Sequence, residues 1–268
     1  MSLLNGIAMI RKAVITAAGL GTRMRNMTLI IPKALLPLIR RGEPPMLIPI
    51  IDLIISRLQE VGVSKFLIVV GRNGKPLIDY LMDKLFNESP GVSLSFTFQE
   101  KPLGFGDAVL RAKDFINSEP FFVHADDGLL TEGYAEGVKL FDELRPDALL
   151  FLREVSNPSR YGVAIVRDEG YINNYRLVRV LDVEEKPRNP RSNIAISAVY
   201  IFSDKIFRGL ETVKTEGELE LTYGIKNVID SGGEVYGIVL NHNSWLSVGD
   251  PESYINTINR LFNQGVKK

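Results

Sequence analysis

The chain contains no cysteine, and this absence excludes disulfide bonds, thiolate zinc sites and thiol nucleophiles together. It contains only two histidines, and their surroundings do not favour catalysis. His124 lies in the apolar run F-F-V-H-A, and His242 lies in a polar segment, so we expect neither to be catalytic. A chain without cysteine also suits a reducing compartment, which favours a cytoplasmic protein.

The sequence also lacks an excess of charge of either sign and a long apolar run. Its 32 basic and 32 acidic residues leave a formal net charge of zero, which gives no electrostatic support for a nucleic-acid partner. The longest apolar stretch, 46–55, is interrupted by Pro49 and Asp52 and is too short to cross a bilayer. Arg11 and Lys12 follow the mildly apolar first residues rather than precede them, which is the wrong order for a signal peptide. We therefore expect no membrane partner.

The pattern of apolar residues predicts an α/β protein. With 268 residues, of which 45% are hydrophobic, the chain is long enough to form a large core. Buried-strand runs alternate with segments of helical spacing, which predicts a three-layer α/β/α fold with a mixed, mostly parallel sheet. We predict a single domain over residues 1–268. The composition changes around 154–195, where short strand-like runs are predicted on either side of a hairpin turn at D-E-G-Y, residues 168–171.

A glycine-rich segment follows the first buried strand and is the strongest functional signal. Gly19 and Gly21 are predicted to turn the backbone with positive φ and to bring N–H groups close to a ligand. Arg23 adds a planar cationic donor, and Lys33 follows ten residues later behind a proline. Two cations beside one glycine-rich turn suit a polyphosphate.

Other glycine-rich phosphate sites fit this segment less well. A dinucleotide fingerprint requires a third glycine where Met24 stands, and a P-loop requires a G-K-[ST] sequence that is absent here. A purely structural turn with solvated Arg23 and Lys33 is the remaining alternative. A nucleotide-binding module for a methylerythritol or choline phosphate shares A-A-G-x-G-x-R, but it does not account for P-K-x-L-L-P and E-K-P together.

These three motifs, G-L-G-T-R-M, P-K-x-L-L-P and E-K-P, resemble those of the sugar-1-phosphate nucleotidyltransferases. The resemblance extends from about Lys12 to the last predicted helix, and the segments 31–33 and 192–195 are most similar to the branch that uses UTP and glucose 1-phosphate. It implies the transfer of a nucleotidyl group from a nucleoside triphosphate to a sugar 1-phosphate, with Mg²⁺ as cofactor. The sequence leaves the base, the hexose and the choice between a monomer and a homo-oligomer open.

The resemblance also implies a role for individual residues. Arg23, Lys33 and Lys186 would be catalytic, and Asp126 would hold the metal. The implied nucleotide contacts are Ala18, Gly19, Gly21, Thr22, Gln99 and Gly104. The resemblance implies a sugar-binding insertion around 154–195, and the implied sugar contacts are Gly162, Glu185 and Asn193.

The chemistry of these side chains is compatible with those roles. The amide of Gln99 offers a donor and an acceptor to a pyrimidine edge, and the carboxylate of Glu185 can accept hydrogen bonds from a sugar diol. Asp126 follows the strand F-F-V-H-A, at the sheet edge where ligands bind in open α/β folds. We expect Asp127 to face away from Asp126, because successive strand residues alternate. Glu185 and Lys186 can share one site only if the backbone bends between them.

The chain departs from the family pattern at two positions. Ser247 stands where the family has a second metal-binding aspartate, and Tyr223 stands in place of another aspartate. Either Asp127 or Asp250 could compensate for Ser247, although Asp250 is better explained as the N-cap of the last helix. The loss of a carboxylate supports a second hypothesis, in which the protein is a regulatory paralogue that binds sugar nucleotides but turns over slowly.

Overall fold

The computed structural model describes residues 10–24, 26–40, 42, 44–88, 91–241 and 243–264, so His242 lies outside the described residues. This part of the chain contains thirteen strands, which we number β1 to β13. In chain order they are Lys12–Ala17, Pro37–Arg40, Met46–Pro49, Lys65–Val70, Ser93–Phe98, Phe121–Ala125, Gly128–Leu130, Ala148–Glu154, Gly162–Ile172, Tyr175–Glu185, Ile194–Phe202, Val235–Leu240 and Trp245–Ser247.

The same residues form nine α-helices, α1 to α9, and three short 3₁₀ helices. The α-helices are Met27–Ile30, Ile50–Glu60, Lys75–Glu88, Phe105–Leu110, Lys113–Ile116, Tyr134–Leu144, Lys205–Glu211, Leu221–Asp230 and Pro251–Gln264, and the 3₁₀ helices are Thr22–Met24, Lys33–Leu35 and Pro158–Arg160. Among these described elements, no helix has both the length and the apolar character needed to cross a membrane.

Nine of the strands form one mixed sheet, in the order β5-β4-β1-β6-β11-β8-β12-β10-β9. The N-terminal strands β5, β4, β1 and β6 are parallel, and so is the pair β8–β12. Strand β11 is antiparallel to both β6 and β8, so β6 and β8 run in the same direction and end at the same edge of the sheet. The prediction of a mixed α/β sheet is confirmed.

The helices cover both faces of this sheet, because the central strands are apolar on both sides. Strand β1 is buried along its whole length, with Ile15 in one hydrophobic core and Val14 in the other. The first core lies under α2, α3, α6 and α9, and the second lies under α4, α5, α7 and α8. This arrangement gives the three layers that the sequence predicts.

The ends of two helices follow the sequence signals. Gly62 follows α2 with a φ of 98°, a left-handed conformation that glycine adopts without steric cost. Asp250 caps α9, since its Oδ1 accepts a hydrogen bond of 3.0 Å from the backbone N–H of Ser253. This contact confirms that Asp250 is a helix cap.

The hairpin between β9 and β10 does not turn where the sequence suggests. The turn lies at Asn173 and Asn174, where Asn173 has a φ of 51°, and D-E-G-Y lies inside β9. Gly170 has a φ of 106° beside a shift in the strand register. Gly170 therefore marks a β-bulge rather than the turn, and Asn173 supplies the left-handed residue that the turn requires.

Candidate active site

A cavity of about 690 Å³ opens at the sheet edge where β1, β6 and β8 end. It brings together segments that are far apart in the sequence, since its lining extends from Thr16 to Gly249. Twelve of the thirteen residues that the sequence assigns to the site line this cavity: Ala18, Gly19, Gly21, Thr22, Arg23, Lys33, Gln99, Gly104, Asp126, Gly162, Glu185 and Lys186.

The two glycines of the glycine-rich segment have different roles. Gly21 has a φ of 64°, and a Cβ there would lie 2.7 Å from the methyl group of Thr28, whose hydroxyl donates a hydrogen bond of 2.9 Å to the Gly21 carbonyl. The prediction of a positive φ is wrong for Gly19, because Gly21 alone makes the turn. A Cβ on Gly19 would meet nothing within 4 Å, so its missing side chain leaves open space on the cavity wall.

Lys33, Arg23 and Asp127 form a charged cluster on the cavity floor. Asp127 Oδ2 lies 3.1 Å from Lys33 Nζ and 3.7 Å from Arg23 Nη2. The prediction that Asp127 faces away is therefore wrong, because β6 ends at Ala125 and its alternation does not continue through the next two residues. The Arg23 side chain is 61% exposed, so its guanidinium is accessible to an anion in the cavity.

Asp126 is buried beside this cluster. Its backbone N–H donates a hydrogen bond of 3.2 Å to the carbonyl of Thr16 in β1, which fixes it at the strand end. Burial raises the pKa of the Asp126 carboxyl to about 7, although the charge of Lys33 opposes this shift. Burial lowers the pKa of Lys33, but the negative charges of Asp127 and Asp126 outweigh it and raise the pKa above its usual value.

Gln99 and Gly104 form a second corner of the cavity. Gln99 Nε2 donates hydrogen bonds to the carbonyl of Gly104, at 2.9 Å, and to Asp107 Oδ2, at 2.7 Å. Both hydrogens of the amide are thereby engaged, which leaves Oε1 as the atom that can contact a ligand. Gly104 has a φ of 103°, and a Cβ there would lie 2.5 Å from the carbonyl oxygen of Leu219.

The loop around Gly104 is joined to the chain before α8 by two backbone hydrogen bonds. The N–H of Leu219 donates to the carbonyl of Leu103, and the N–H of Gly106 donates to the carbonyl of Leu219, each at 2.7 Å. This contact fixes the Gly104 corner against the segment that carries Glu220.

Glu185 and Lys186 form a third corner. Lys186 Nζ lies 2.9 Å from Glu185 Oε1 and 3.4 Å from Glu220 Oε1, and Thr222 donates a hydrogen bond of 2.6 Å to Glu185 Oε2. The strand ends at Glu185, and Lys186 has a φ of 40°, which is the backbone bend that the sequence requires. Burial lowers the pKa of Lys186, but the hydrogen bond and charge of Glu185 raise it above its usual value.

Asn193 is the predicted site residue that does not line the cavity. It is exposed, and its backbone carbonyl accepts a hydrogen bond of 2.9 Å from the N–H of Val155. It precedes β11, and the cavity-lining residues of that strand begin only at Ile196. The structure therefore does not bring Asn193 to the corner that Glu185 and Lys186 form, which we call the sugar corner.

Several residues that the sequence did not single out also line the cavity. Ala198 has a φ of 53° at an irregular part of β11, and it lines the cavity together with the buried Ser197. Tyr161, Trp245 and Arg153 form another part of the wall. Only Arg153 carries a sequence signal, because a cation directly after the apolar run of β8 lies at the same sheet edge as Asp126.

Ser247 lies close to Asp127 through the short pairing of β13 with β7. The N–H of Val248 donates a hydrogen bond of 2.9 Å to the carbonyl of Asp127. A Cβ on Gly249 would lie 3.2 Å from Asp127 Oδ2 and 3.4 Å from Ser247 Oγ. Glycine thus leaves a space between these two oxygen atoms. Within the described ranges, no group of three or more His, Cys, Asp or Glu side chains is arranged to hold a metal.

His124 is a core residue, as its apolar neighbours predict. Its Nε2 lies 2.8 Å from the hydroxyl of Tyr134, and its Nδ1 lies 2.6 Å from the carbonyl of Ala125. Burial lowers the pKa of His124 to about 4, so the ring is neutral at physiological pH.

Two curated relatives from Haloferax volcanii are similar to this chain. The low-salt glycan biosynthesis nucleotidyltransferase Agl11 is 29% identical over 246 residues, which are 91% of this chain and 64% of Agl11. The chain thus spans less than two thirds of the length of Agl11. The UTP–glucose-1-phosphate uridylyltransferase AglF is 30% identical over 246 residues, which are 90% of this chain and 92% of AglF.

The fold is also similar to that of a solved structure, a UDP-glucose pyrophosphorylase in complex with UDP-glucose. The two chains superpose with a TM-score of 0.81 and are 25% identical, and the match covers 96% of this chain and 100% of the other. The sequence profile of the nucleotidyl transferase family matches residues 12–264. Since that match contains every residue that lines the cavity, the chain belongs to the nucleotidyl transferase family.

Proposed function

We propose that this protein transfers a nucleotidyl group from a nucleoside triphosphate to a sugar 1-phosphate and releases pyrophosphate. The observation that carries this proposal is one cavity that brings together twelve of the thirteen residues to which the family resemblance assigns a role. Its volume of about 690 Å³ lies within the range of pockets that enclose a ligand of sugar-nucleotide size. Membership of the nucleotidyl transferase family supports the same reaction class.

The glycine-rich segment suits the triphosphate. We assign the β- and γ-phosphates to the backbone amides around Gly19 and Gly21 and to the exposed guanidinium of Arg23. Lys33 is buried and held in place by Asp127, so it presents a positioned charge to the α-phosphate. Charge that is fixed before the reaction stabilises the transition state without reorganisation.

The reaction requires no protein nucleophile and no general base. The second pKa of a phosphate monoester is about 6, so an oxygen of the sugar phosphate is already ionised at neutral pH. This oxygen attacks the α-phosphorus in line, the bond from that phosphorus to the bridging oxygen breaks, and pyrophosphate leaves with the electron pair. Lys186 at the sugar corner is positioned to neutralise the incoming phosphate.

The donor set beside Lys33 suits a magnesium ion. Mg²⁺ is commonly bound by one or two carboxylates, with water and phosphate oxygens as its other ligands. Asp126 and Asp127 provide two carboxylates, and the space that Gly249 leaves open lies between Asp127 and the hydroxyl of Ser247. We propose that Asp127 compensates for the aspartate that Ser247 replaces. When bound, magnesium would neutralise part of the charge of the departing pyrophosphate.

UTP is the favoured nucleotide, and glucose 1-phosphate is the favoured sugar phosphate. The free acceptor Oε1 of Gln99 suits the N3–H donor of a uracil or thymine ring. AglF, whose name includes UTP and glucose 1-phosphate, matches this chain over nearly its full length and supports uracil. The acceptor-only carboxylate of Glu185, oriented by Thr222, suits the hydroxyl pair of a hexose.

A pyrophosphate-release assay tests this proposal. Each of UTP, dTTP, GTP and ATP is paired with each of several hexose 1-phosphates, with magnesium or with a chelator. We expect turnover that depends on magnesium and is highest with UTP. The regulatory hypothesis, which the serine at position 247 favours, predicts instead that UDP-sugars bind without measurable pyrophosphate release. Calorimetric binding of UDP-glucose, measured in parallel, distinguishes that outcome from a protein that binds no sugar nucleotide.

A further inference from the structure

Arg153 occupies a defined position on the cavity wall that the proposed reaction does not use. It lies at the carboxyl end of β8, at the same sheet edge as Asp126, because β8 and β6 are both antiparallel to β11. Its guanidinium carbon lies 4.7 Å from the ring centre of Tyr161 and 6.0 Å from that of Trp245. Aromatic contacts of this kind orient a guanidinium group while its donors remain available.

Arg153 differs from the other cations of the cavity in having no counterion. Five cationic side chains line the cavity. Four of them lie within 4.0 Å of a protein carboxylate, namely Arg23, Lys33, Arg160 and Lys186. In the described part of the chain Arg153 has no such partner, and its buried Nε has no hydrogen-bond acceptor.

An uncompensated guanidinium next to a substrate cavity indicates an anionic ligand. Withdrawing a charge from water is unfavourable unless an opposite charge and hydrogen bonds replace the lost hydration. A neutral hydroxyl would satisfy one donor but leave the charge uncompensated. A carboxylate or a phosphate would satisfy two parallel donors and neutralise the charge, which is the geometry that arginine favours. The proposed reaction already assigns the phosphates to Arg23, Lys33 and Lys186, so the anion that remains for Arg153 is a carboxylate.

The position of Arg153 indicates which part of the substrate carries this anion. The carbonyl of Tyr161 accepts a hydrogen bond of 3.1 Å from the N–H of Lys186, so Arg153, which contacts the Tyr161 ring, lies beside the sugar corner. Trp245 packs against the first hydrophobic core, whereas Leu221, beside Thr222, belongs to the second, on the opposite face of the sheet. In the proposed site, a hexose whose hydroxyls contact Glu185 and whose phosphate contacts Lys186 would present its remaining side to the part of the wall that carries Arg153.

We propose that Arg153 binds a carboxylate on the sugar, so that the preferred sugar substrate is a hexuronate 1-phosphate rather than its neutral hexose. This inference rests on the proposed nucleotidyl transfer and extends it from glucose 1-phosphate to the form in which C6 is a carboxylate. The bonds that form and break at phosphorus are unchanged. Arg153 is a specificity residue in this scheme, and Lys186 still binds the 1-phosphate.

The first test requires no variant. We expect pyrophosphate release from UTP to proceed with a kcat/KM at least about tenfold higher for glucuronic acid 1-phosphate than for glucose 1-phosphate, because a charged hydrogen bond contributes about this factor. Galacturonic acid 1-phosphate and galactose 1-phosphate form a second matched pair. Equal or higher kcat/KM values for the neutral member of both pairs would overturn the inference.

The variants Arg153→Gln and Arg153→Lys test the residue itself. We expect Arg153→Gln to lower kcat/KM for the hexuronate at least about tenfold and to change kcat/KM for glucose 1-phosphate less than about threefold. The effect of Arg153→Lys on the hexuronate should lie between those of the wild-type protein and Arg153→Gln. Arg160→Gln is the matched control, since Arg160 is a paired cation of the same cavity, and it should not alter the ratio of the two substrates. An equal loss on both substrates in Arg153→Gln would mean that Arg153 binds the 1-phosphate or supports the fold, and would refute the proposal.

Binding measurements separate this inference from the proposed function. If no pair of substrates releases pyrophosphate, the proposed activity fails. Calorimetry with UDP-glucuronate and UDP-glucose still tests Arg153, because the inference predicts tighter binding of the acidic sugar nucleotide and the loss of that preference in Arg153→Gln. Equal affinities in the wild-type protein would contradict the inference.

Discussion

Replacing Asp126 with asparagine should stabilise the protein at alkaline pH while impairing its activity. The carboxyl of Asp126 is buried, and its pKa is raised from 3.8 to about 7. Between pH 3.8 and about pH 7, the folded protein therefore keeps a proton on Asp126 that the unfolded chain has released. Stability contributed by the protonated acid is present below about pH 4 and is lost as the pH rises to about 7. Asparagine has nearly the same shape and never ionises.

The size of the effect follows from the size of the shift. About three pKa units at about 1.4 kcal/mol each set an upper limit of about 4 kcal/mol. We therefore expect Asp126→Asn to be about 2 to 4 kcal/mol more stable than the wild-type protein at pH 8, and nearly equal to it at pH 4.

Urea unfolding at both pH values, with a chelator present to remove bound cations, measures this difference. Asp127→Asn is the matched control, because Asp127 is partly exposed and forms an ion pair with the buried Lys33. That variant should be less stable than the wild-type protein at pH 8, by about 1 to 2 kcal/mol. The reasoning is refuted if Asp126→Asn shows no gain at pH 8, or shows the same gain at both pH values.

Three further predictions concern the phosphate loop, the metal site and the core. Arg23→Ala should lower kcat at least about 100-fold without changing the melting temperature, because its exposed side chain acts on the transition state; near-normal turnover would contradict the assignment of the loop. Asp127→Asn should weaken Mn²⁺ binding, measured by electron paramagnetic resonance, and adding Ser247→Asp should restore it; unchanged binding in Asp127→Asn would show that Asp127 is not a ligand, and a double variant that binds no better than Asp127→Asn would show that position 247 cannot replace it. Between pH 6.5 and 4, the wild-type protein should lose up to about 3 kcal/mol more stability than His124→Gln. The pKa of His124 is lowered from 6.5 to about 4 in the folded protein, so the contribution of the neutral ring to stability is complete above pH 6.5 and is lost as the pH falls to about 4. Equal losses in urea titrations would exclude this role.

The fold follows from local sequence signals, and most of the cavity residues follow from the resemblance to the sugar-1-phosphate nucleotidyltransferases. Runs such as F-F-V-H-A are apolar on both faces, and a covered sheet is the structure that buries both faces. Gly21 and Lys33 were identifiable because the chemistry of a phosphate site restricts which residues can occupy it. Similarly, the predicted bend at Lys186 follows from the conflict between strand alternation and two neighbouring site residues.

The errors arise where tertiary contacts decide the conformation. Asp127 was predicted to face away, because the sequence does not show that β6 ends before it. Gly170 was interpreted as a turn, although the register of the partner strand makes it a bulge. Asn193 lies in a segment similar to the family, but its position outside the cavity depends on a backbone contact with Val155. None of these contacts leaves a periodic pattern in the sequence.

The backbone hydrogen bonds of Leu219 connect the Gly104 loop to the segment that carries Glu220, which in turn contacts Lys186. In the proposed reaction, a nucleotide base that binds at this loop would therefore also restrain Lys186, the lysine that receives the sugar phosphate. Such a connection favours ordered binding of the two substrates, in which the triphosphate binds first and the sugar phosphate binds second. The diphosphate sugar would then be the last product to depart, and it would compete with the triphosphate rather than with the sugar phosphate.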